Sequence, residues 1–141
     1  MSEIKQKAQG ISPYIEARDV AALSKLGNDN IYEASGNFST DSCYQLTFED
    51  PKNRAFWSIT VYDAKGFMFN DLANFSSNTA KANDDGTYTI SFGCGEGEPN
   101  NMEIVNSTNQ FNIIVRHYQP SKRVIEDDYR LIPMMMKISK D

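Results

Sequence analysis

His117 is the only histidine among 141 residues, and that single fact removes many chemistries. Zinc sites built on two imidazoles, and facial-triad iron sites, need more than one. A nucleophilic mechanism would have one base to draw on, with Cys94 as a conceivable thiol partner. The motifs G-x-S-x-G, G-x-x-x-x-G-K-[ST] and G-x-G-x-x-G do not occur, so the hydrolases and nucleotide-binding folds they mark have no support. Glu96, Glu98 and Glu103 share a glycine-rich stretch. Clustered oxygens of that kind can hold Ca²⁺, and two of them could act as the acid and nucleophile of a glycoside hydrolase. Neither spacing is diagnostic, and a solvated loop is the reading adopted. The residues therefore assign no catalytic group, no metal ligand and no cofactor, and leave open whether the chain is an enzyme.

Arg116 is the more informative side chain. It shares a strand face with Asn112 and Tyr118, and a part-buried guanidinium must find a partner. A carboxylate such as Asp63 or Glu49 is the expected one. Otherwise Arg116 could clamp an anionic or hydroxyl-rich ligand, with Phe56, Tyr62 and Tyr118 as stacking neighbours. These four residues form the candidate ligand-binding set. His117 falls on the apolar face of the same strand and reads as a structural histidine. Trp57 shares a face with Ile59 and Val61, so it belongs to the core, where its indole N–H needs a partner such as a loop carbonyl. Cys43 and Cys94 read as two reduced, partly buried thiols, with a disulfide open to them only if their strands are neighbours. Met134, Met135 and Met136 read as filler of the core or of an interface.

The elements that must position these groups follow from periodicity. Residues 1–11 are polar and are expected to be disordered. Ser12 as N-cap, Pro13 at the first helical position and Gly27 past the end predict a helix over 12–27. Beyond it the apolar period becomes two. Tyr44, Leu46 and Phe48 alternate with Gln45, Thr47 and Glu49, and Asp50–Asn53 reads as a turn. Trp57, Ile59 and Val61 alternate with Phe56, Ser58, Thr60 and Tyr62. Phe67–Phe69 reads as a short strand and 70–82 as a polar loop. Asn83-Asp84-Asp85-Gly86 is a hairpin signal before Tyr88, Ile90 and Phe92. Gly93–Glu103 reads as a loop. Phe111, Ile113, Val115 and His117 alternate with Asn112, Ile114, Arg116 and Tyr118. A helical turn is expected near 124–129, and 131–138 could close the sheet as an edge strand around Pro133. One helix followed by roughly six to eight strands, without βαβ alternation, predicts a mostly β, antiparallel sandwich of jelly-roll type over 31–138. The whole chain reads as a single domain.

Composition narrows the partners. Fourteen basic against nineteen acidic residues give a net charge of −5, which disfavours a nucleic-acid backbone or an anionic membrane. No apolar run approaches the roughly 18–20 residues that span a bilayer. The N-terminal residues lack the apolar stretch of a signal peptide, so a cytoplasmic location is expected.

Several segments in order carry a likeness: Tyr44-Gln-Leu-Thr-Phe48, Ala55-Phe-Trp-Ser-Ile-Thr-Val-Tyr-Asp63, Gly66-Phe67, Asp85-Gly86-Thr87 and Arg116-His-Tyr-Gln-Pro120. Together they resemble the domain of unknown function 1214 family over roughly residues 14–133, with the nonapeptide around Trp57 the most specific part. The chain departs from the family pattern at Asn101–Asn106, where a Trp- and Pro-containing stretch is usual. The resemblance implies a jelly-roll-like sandwich and no established reaction. Many members carry a further N-terminal domain, so a lone copy is expected to cover the corresponding surface in another way. The expectation is a non-catalytic module that mediates assembly as a homo-oligomer or binds a protein partner. The alternative is a small-ligand or carbohydrate-binding module, and a hydrolase with a carboxylate pair stands behind both.

Overall fold

The computed structural model describes residues 14–15, 30–70 and 73–138. The chain forms ten strands, one short helix and one 3-10 turn among these residues. In order they are β1 (Tyr14–Ile15), β2 (Ile31–Ser35), β3 (Phe38–Ser39), β4 (Cys43–Phe48), β5 (Phe56–Asp63), β6 (Asn74–Ser76), β7 (Tyr88–Phe92), β8 (Asn101–Met102), β9 (Gln110–Tyr118), α1 (Lys122–Glu126), the 3-10 turn (Ile132–Met134) and β10 (Met135–Ile138).

Two sheets result. The first has the order β1-β2-β9-β5-β6, with β3 also paired to β9; the second has the order β10-β4-β7-β8. Every pair is antiparallel except β7 with β8. The sheets enclose one main core because period-two alternation gives each an apolar inner face. Leu46, Phe48, Trp57, Ile59, Val61, Ile90, Phe92, Phe111, Ile113 and Val115 are all buried in it. Its aromatic rings meet at edge-on and tilted angles: Trp57 lies edge-on to both Phe48 and Tyr88, and Phe38 contacts Tyr44 and Phe111. Each such pair adds roughly 0.5–1.5 kcal/mol beyond its buried area.

Several expectations are corrected. Tyr14–Ile15, inside the expected helix over 12–27, pair with β2 as a strand. The rest of that helix and the expected disorder of 1–11 lie outside the described residues. Phe67–Phe69 is not a strand, whereas β6 and β8 arise in segments expected to be loops. β6 pairs with β5 and sets Phe75 against the main core, a single apolar residue between Asn74 and Ser76 that gives no alternating signal. The helical turn begins earlier than expected, at Lys122, because Ser121 caps it by accepting from the Val124 N–H. β10 is the edge strand expected from 131–138, preceded by the 3-10 turn at Pro133.

The two cysteines are not free thiols. Cys43 opens β4 and Cys94 follows β7, and the pairing of Tyr44 with Phe92 brings them to a Cα separation of 4.8 Å, where they form a disulfide. Gly93, at φ 71°, makes the bend between β7 and Cys94; a Cβ there would collide with the side chain of Ile104. Only glycine satisfies both conditions at this position.

Candidate functional site

β9 lies at the middle of the first sheet, and its last residues face opposite ways. His117 points into the molecule and Arg116 out of it, so the strand carries an imidazole to one side and a guanidinium to the other.

On the inner side a sealed chain of hydrogen bonds runs through His117. The turn at Asp50–Asn53 starts it: Asp50 Oδ1 accepts from the Lys52 N–H at 2.7 Å, and Lys52 takes a left-handed conformation at φ 61°. The turn delivers Asn53, whose Oδ1 accepts from the Ser121 N–H at 3.1 Å. With that oxygen occupied, the Asn53 amide nitrogen must be the donor toward His117 Nδ1, 2.9 Å away. His117 Nδ1 is then an acceptor and the ring proton sits on Nε2. His117 Nε2–H donates to Glu33 Oε2 at 2.8 Å, and both residues have no exposed surface. The Glu33 carboxylate also accepts from the N–H groups of Leu131 and Ile132 at 2.9 Å. Pro133 has no N–H to offer, so these are the free donors at the start of the 3-10 turn. Glu33 thus caps a turn about a hundred residues away, and every oxygen and nitrogen of the chain has a partner. A carboxylate buried in this way is held by three N–H donors rather than by a cation. The structural reading of His117 holds. The Cys94–His117 alternative fails, because Cys94 is in the disulfide and His117 is bound on both ring nitrogens.

The outer side of the first sheet is different in kind. The ladder β2-β9-β5-β6 brings onto it Tyr32, Ala34, Phe56, Ser58, Thr60, Tyr62, Asn74, Ser76, Asn112, Ile114, Arg116 and Tyr118. Arg116 is the sole charged residue of these twelve. Its Nη2 donates to Tyr62 Oη at 2.9 Å and its Nη1 to Thr60 Oγ1 at 3.3 Å. Thr60 Oγ1 is itself held by the Asn74 amide. The guanidinium lies over the Tyr32 ring, 6.0 Å from its centroid. Phe56 and Tyr118, paired in register, stack at 4.4 Å. The four candidate residues therefore share one face: Arg116 touches Tyr62, and Phe56 and Tyr118 form a stack at the adjoining positions. No carboxylate reaches Arg116 among the described residues, which corrects the expected pairing. Asp63 faces the other way and accepts from the Lys65 and Phe67 N–H groups, and Glu49 is taken by Arg123 at 2.8 Å.

Trp57 is buried as expected, but its Nε1 has no hydrogen-bond partner among the described residues, nor has Arg130 Nε; the expected loop carbonyl is not there. Among the described residues no group of three or more His, Cys, Asp or Glu side chains is placed to hold a metal, and Glu98 instead accepts from Gln45. An open cleft of about 250 Å³ lies at the end of β4, lined by Thr47, Phe48, Glu49, Thr87, Arg123, Tyr129 and Met134. Its rim is tied shut locally: Arg123 bonds Glu49 and lies 4.0 Å over the Tyr129 ring, and Tyr129 Oη bonds both the N–H and the carbonyl of Glu49. Burial pushes the Tyr129 phenol above the usual tyrosine range, opposed by the Glu49 backbone bond and Arg123. No helix among the described residues is long and apolar enough to cross a membrane.

With this geometry in view, the comparisons place the chain. Residues 29–122 match the family described as Protein of unknown function (DUF1214), and the chain belongs to that family. Among solved structures it is similar to the VPA0106 protein from Vibrio parahaemolyticus, at 26% identity and a TM-score of 0.66 over 86% of this chain and 35% of that one. An uncharacterized protein from Burkholderia cenocepacia shares the fold at 13% identity and a TM-score of 0.51, over 78% of this chain and 29% of that one. The chain thus spans about a third of the length of these structural relatives. No curated protein sequence matches it.

Proposed function

We propose that the chain is a non-catalytic module that associates with a second copy of itself through the outer face of the first sheet. The observation that carries this reading is the composition of that face, whose twelve positions hold four aromatic rings, three hydroxyls, two amides, two aliphatic side chains and a single charge, with Ser58 and Thr60 buried among their neighbours. Interface centres have that character: tyrosine, phenylalanine and arginine enriched, lysine and carboxylates depleted. The chain's surplus of acidic residues favours a like chain as the partner for an unneutralised cation. The same surplus disfavours nucleic acid and anionic membranes.

Other features accord with it. The solved relatives are far longer than this chain, so the same fold there belongs to a larger body. The lone imidazole is bound on both nitrogens and sealed from substrate, which removes the commonest general base. The jelly-roll wiring is supported by the chain's repeated passage between sheets, with β4, β7–β8 and β10 in the second and the others in the first. The disulfide favours a compartment that keeps thiols oxidised over the cytoplasm expected from the sequence. The small-ligand alternative draws its support from the cleft beside Tyr129.

Light scattering across a concentration series tests the proposal. The expected mass rises from 15.9 kDa toward twice that value, and Tyr118→Lys on the outer face returns it to the monomer. A wild-type protein that stays monomeric throughout overturns the reading.

A further inference from the structure

We infer that Arg116 is a carboxylate-binding site, the point at which the second copy of the chain places an acidic side chain. This rests on the reading of the outer face as a contact surface and names the chemistry recognised there. Arginine has five N–H donors. Two are engaged, by Tyr62 Oη and Thr60 Oγ1, and three have no acceptor among the described residues. Both acceptors are neutral hydroxyls, so they orient the guanidinium without cancelling its charge. The second layer is fixed too, since Asn74 holds Thr60 Oγ1 and strand pairing sets Thr60 opposite Asn74 and Ile114. The planar fork is therefore held ready for a planar, two-oxygen acceptor, which guanidinium binds with two parallel bonds.

The surroundings select the class of anion. Tyr32 lies beneath the guanidinium, and Phe56 stacked on Tyr118 flanks it along the strands. Aromatic walls suit a carboxylate attached to carbon, with apolar atoms to cover the rings. A phosphate dianion would face one cation with no second positive group on this face. Half-burial sharpens the argument: a guanidinium partly removed from water gains more from a matched anion than an exposed one does.

The test uses benzoate as probe and follows the Arg116 side-chain N–H signal by NMR in the full chain, diluted until light scattering gives a monomer so that no partner carboxylate occupies the site. Benzoate is expected to give a saturable shift, benzyl alcohol none, and inorganic phosphate a weaker and non-saturating one. Charge-assisted bonds of this kind correspond to a loss of at least about tenfold in affinity when one partner is removed, so Arg116→Gln is expected to weaken benzoate binding by that factor. Tyr62→Phe keeps the cation but loosens its position, with a smaller loss expected. No saturable shift with benzoate, or one that persists unchanged in Arg116→Gln, overturns the inference. Failure of the two proposals is separable. A chain that dimerises when concentrated but whose Arg116 ignores benzoate when dilute retains the contact surface and loses the carboxylate site, whereas a strict monomer that binds benzoate does the reverse.

Discussion

Arg116 and His117 are adjacent on one strand and solve the same electrostatic problem in opposite ways. His117 is fully enclosed, and the structure matches it atom for atom: an amide donates to one nitrogen and a carboxylate accepts from the other. Arg116 is half-buried and, among the described residues, meets only hydroxyls. Where every partner is internal, the group serves stability and is closed to chemistry. Where a charge is oriented but left without a counter-charge, the surface is prepared for something outside the chain. Strand alternation makes this contrast possible within two residues.

Substitutions can break the contrast from its inner side first. Glu33→Ala would strand the His117 Nε2–H and the N–H groups of Leu131 and Ile132 inside the protein. Each buried donor left unsatisfied costs about 1–3 kcal/mol, and three are stranded together, so urea unfolding should show a large fall in midpoint. Replacing both cysteines by serine removes a link across 51 residues of chain, and a loss of about 2–4 kcal/mol is expected, measurable as the difference in melting with and without reductant. Asn53→Ala unties the His117 Nδ1 end and the Ser121 N–H, with an expected cost of about 1–3 kcal/mol. On the outer side, Arg116→Gln should change monomer stability by less than about 1 kcal/mol, because both partners are neutral hydroxyls and Thr60 Oγ1 keeps its bond to the Asn74 amide. If Arg116→Gln proved as damaging as Glu33→Ala, the distinction between the two faces would collapse.

The smallest expected effect is at alkaline pH. Burial raises the Tyr44 phenol above its ordinary range, with Asp41 adding to this and the bond to Ser42 opposing it. The unfolded chain then loses its proton first, near pH 10. Below that pH the neutral phenol's contribution is fully present; above it stability falls until the folded phenol also ionises. Tyr44→Phe should flatten part of the decline in melting temperature above pH 10.

How much of this was legible in the sequence follows from the same physics. The strands of β4, β5, β7 and β9 could be read because their apolar residues largely alternate, with Phe56 and Ile114 the outward exceptions on β5 and β9, and with them the inward position of Trp57 and His117. The outer set of Phe56, Tyr62, Arg116 and Tyr118 was legible for the same reason, since alternation on β5 and β9 leaves them together. Glu33 was not legible. In Ile31-Tyr32-Glu33-Ala34-Ser35 neither alternating set is clearly apolar, so the pattern does not say which side faces inward, and a carboxylate argues for the outside. Its role depends on two N–H groups about a hundred residues away, and no local signal carries that. The cysteine pair was hidden likewise: Cys43 and Cys94 meet because β4 and β7 are neighbours in register, which spacing cannot reveal. The expected partner of Arg116 was wrong because Asp63, though one pleat from Tyr62, points to the other side and is consumed by its own turn.

The most direct test of the account is the melting temperature of the wild-type protein and of Arg116→Gln, each measured over a range of protein concentration. Association through the folded state raises the midpoint with concentration. The account predicts that the wild-type midpoint climbs as the protein is concentrated, while that of Arg116→Gln stays level and coincides with the dilute wild type. A wild-type midpoint independent of concentration, or a variant that climbs equally, would contradict it.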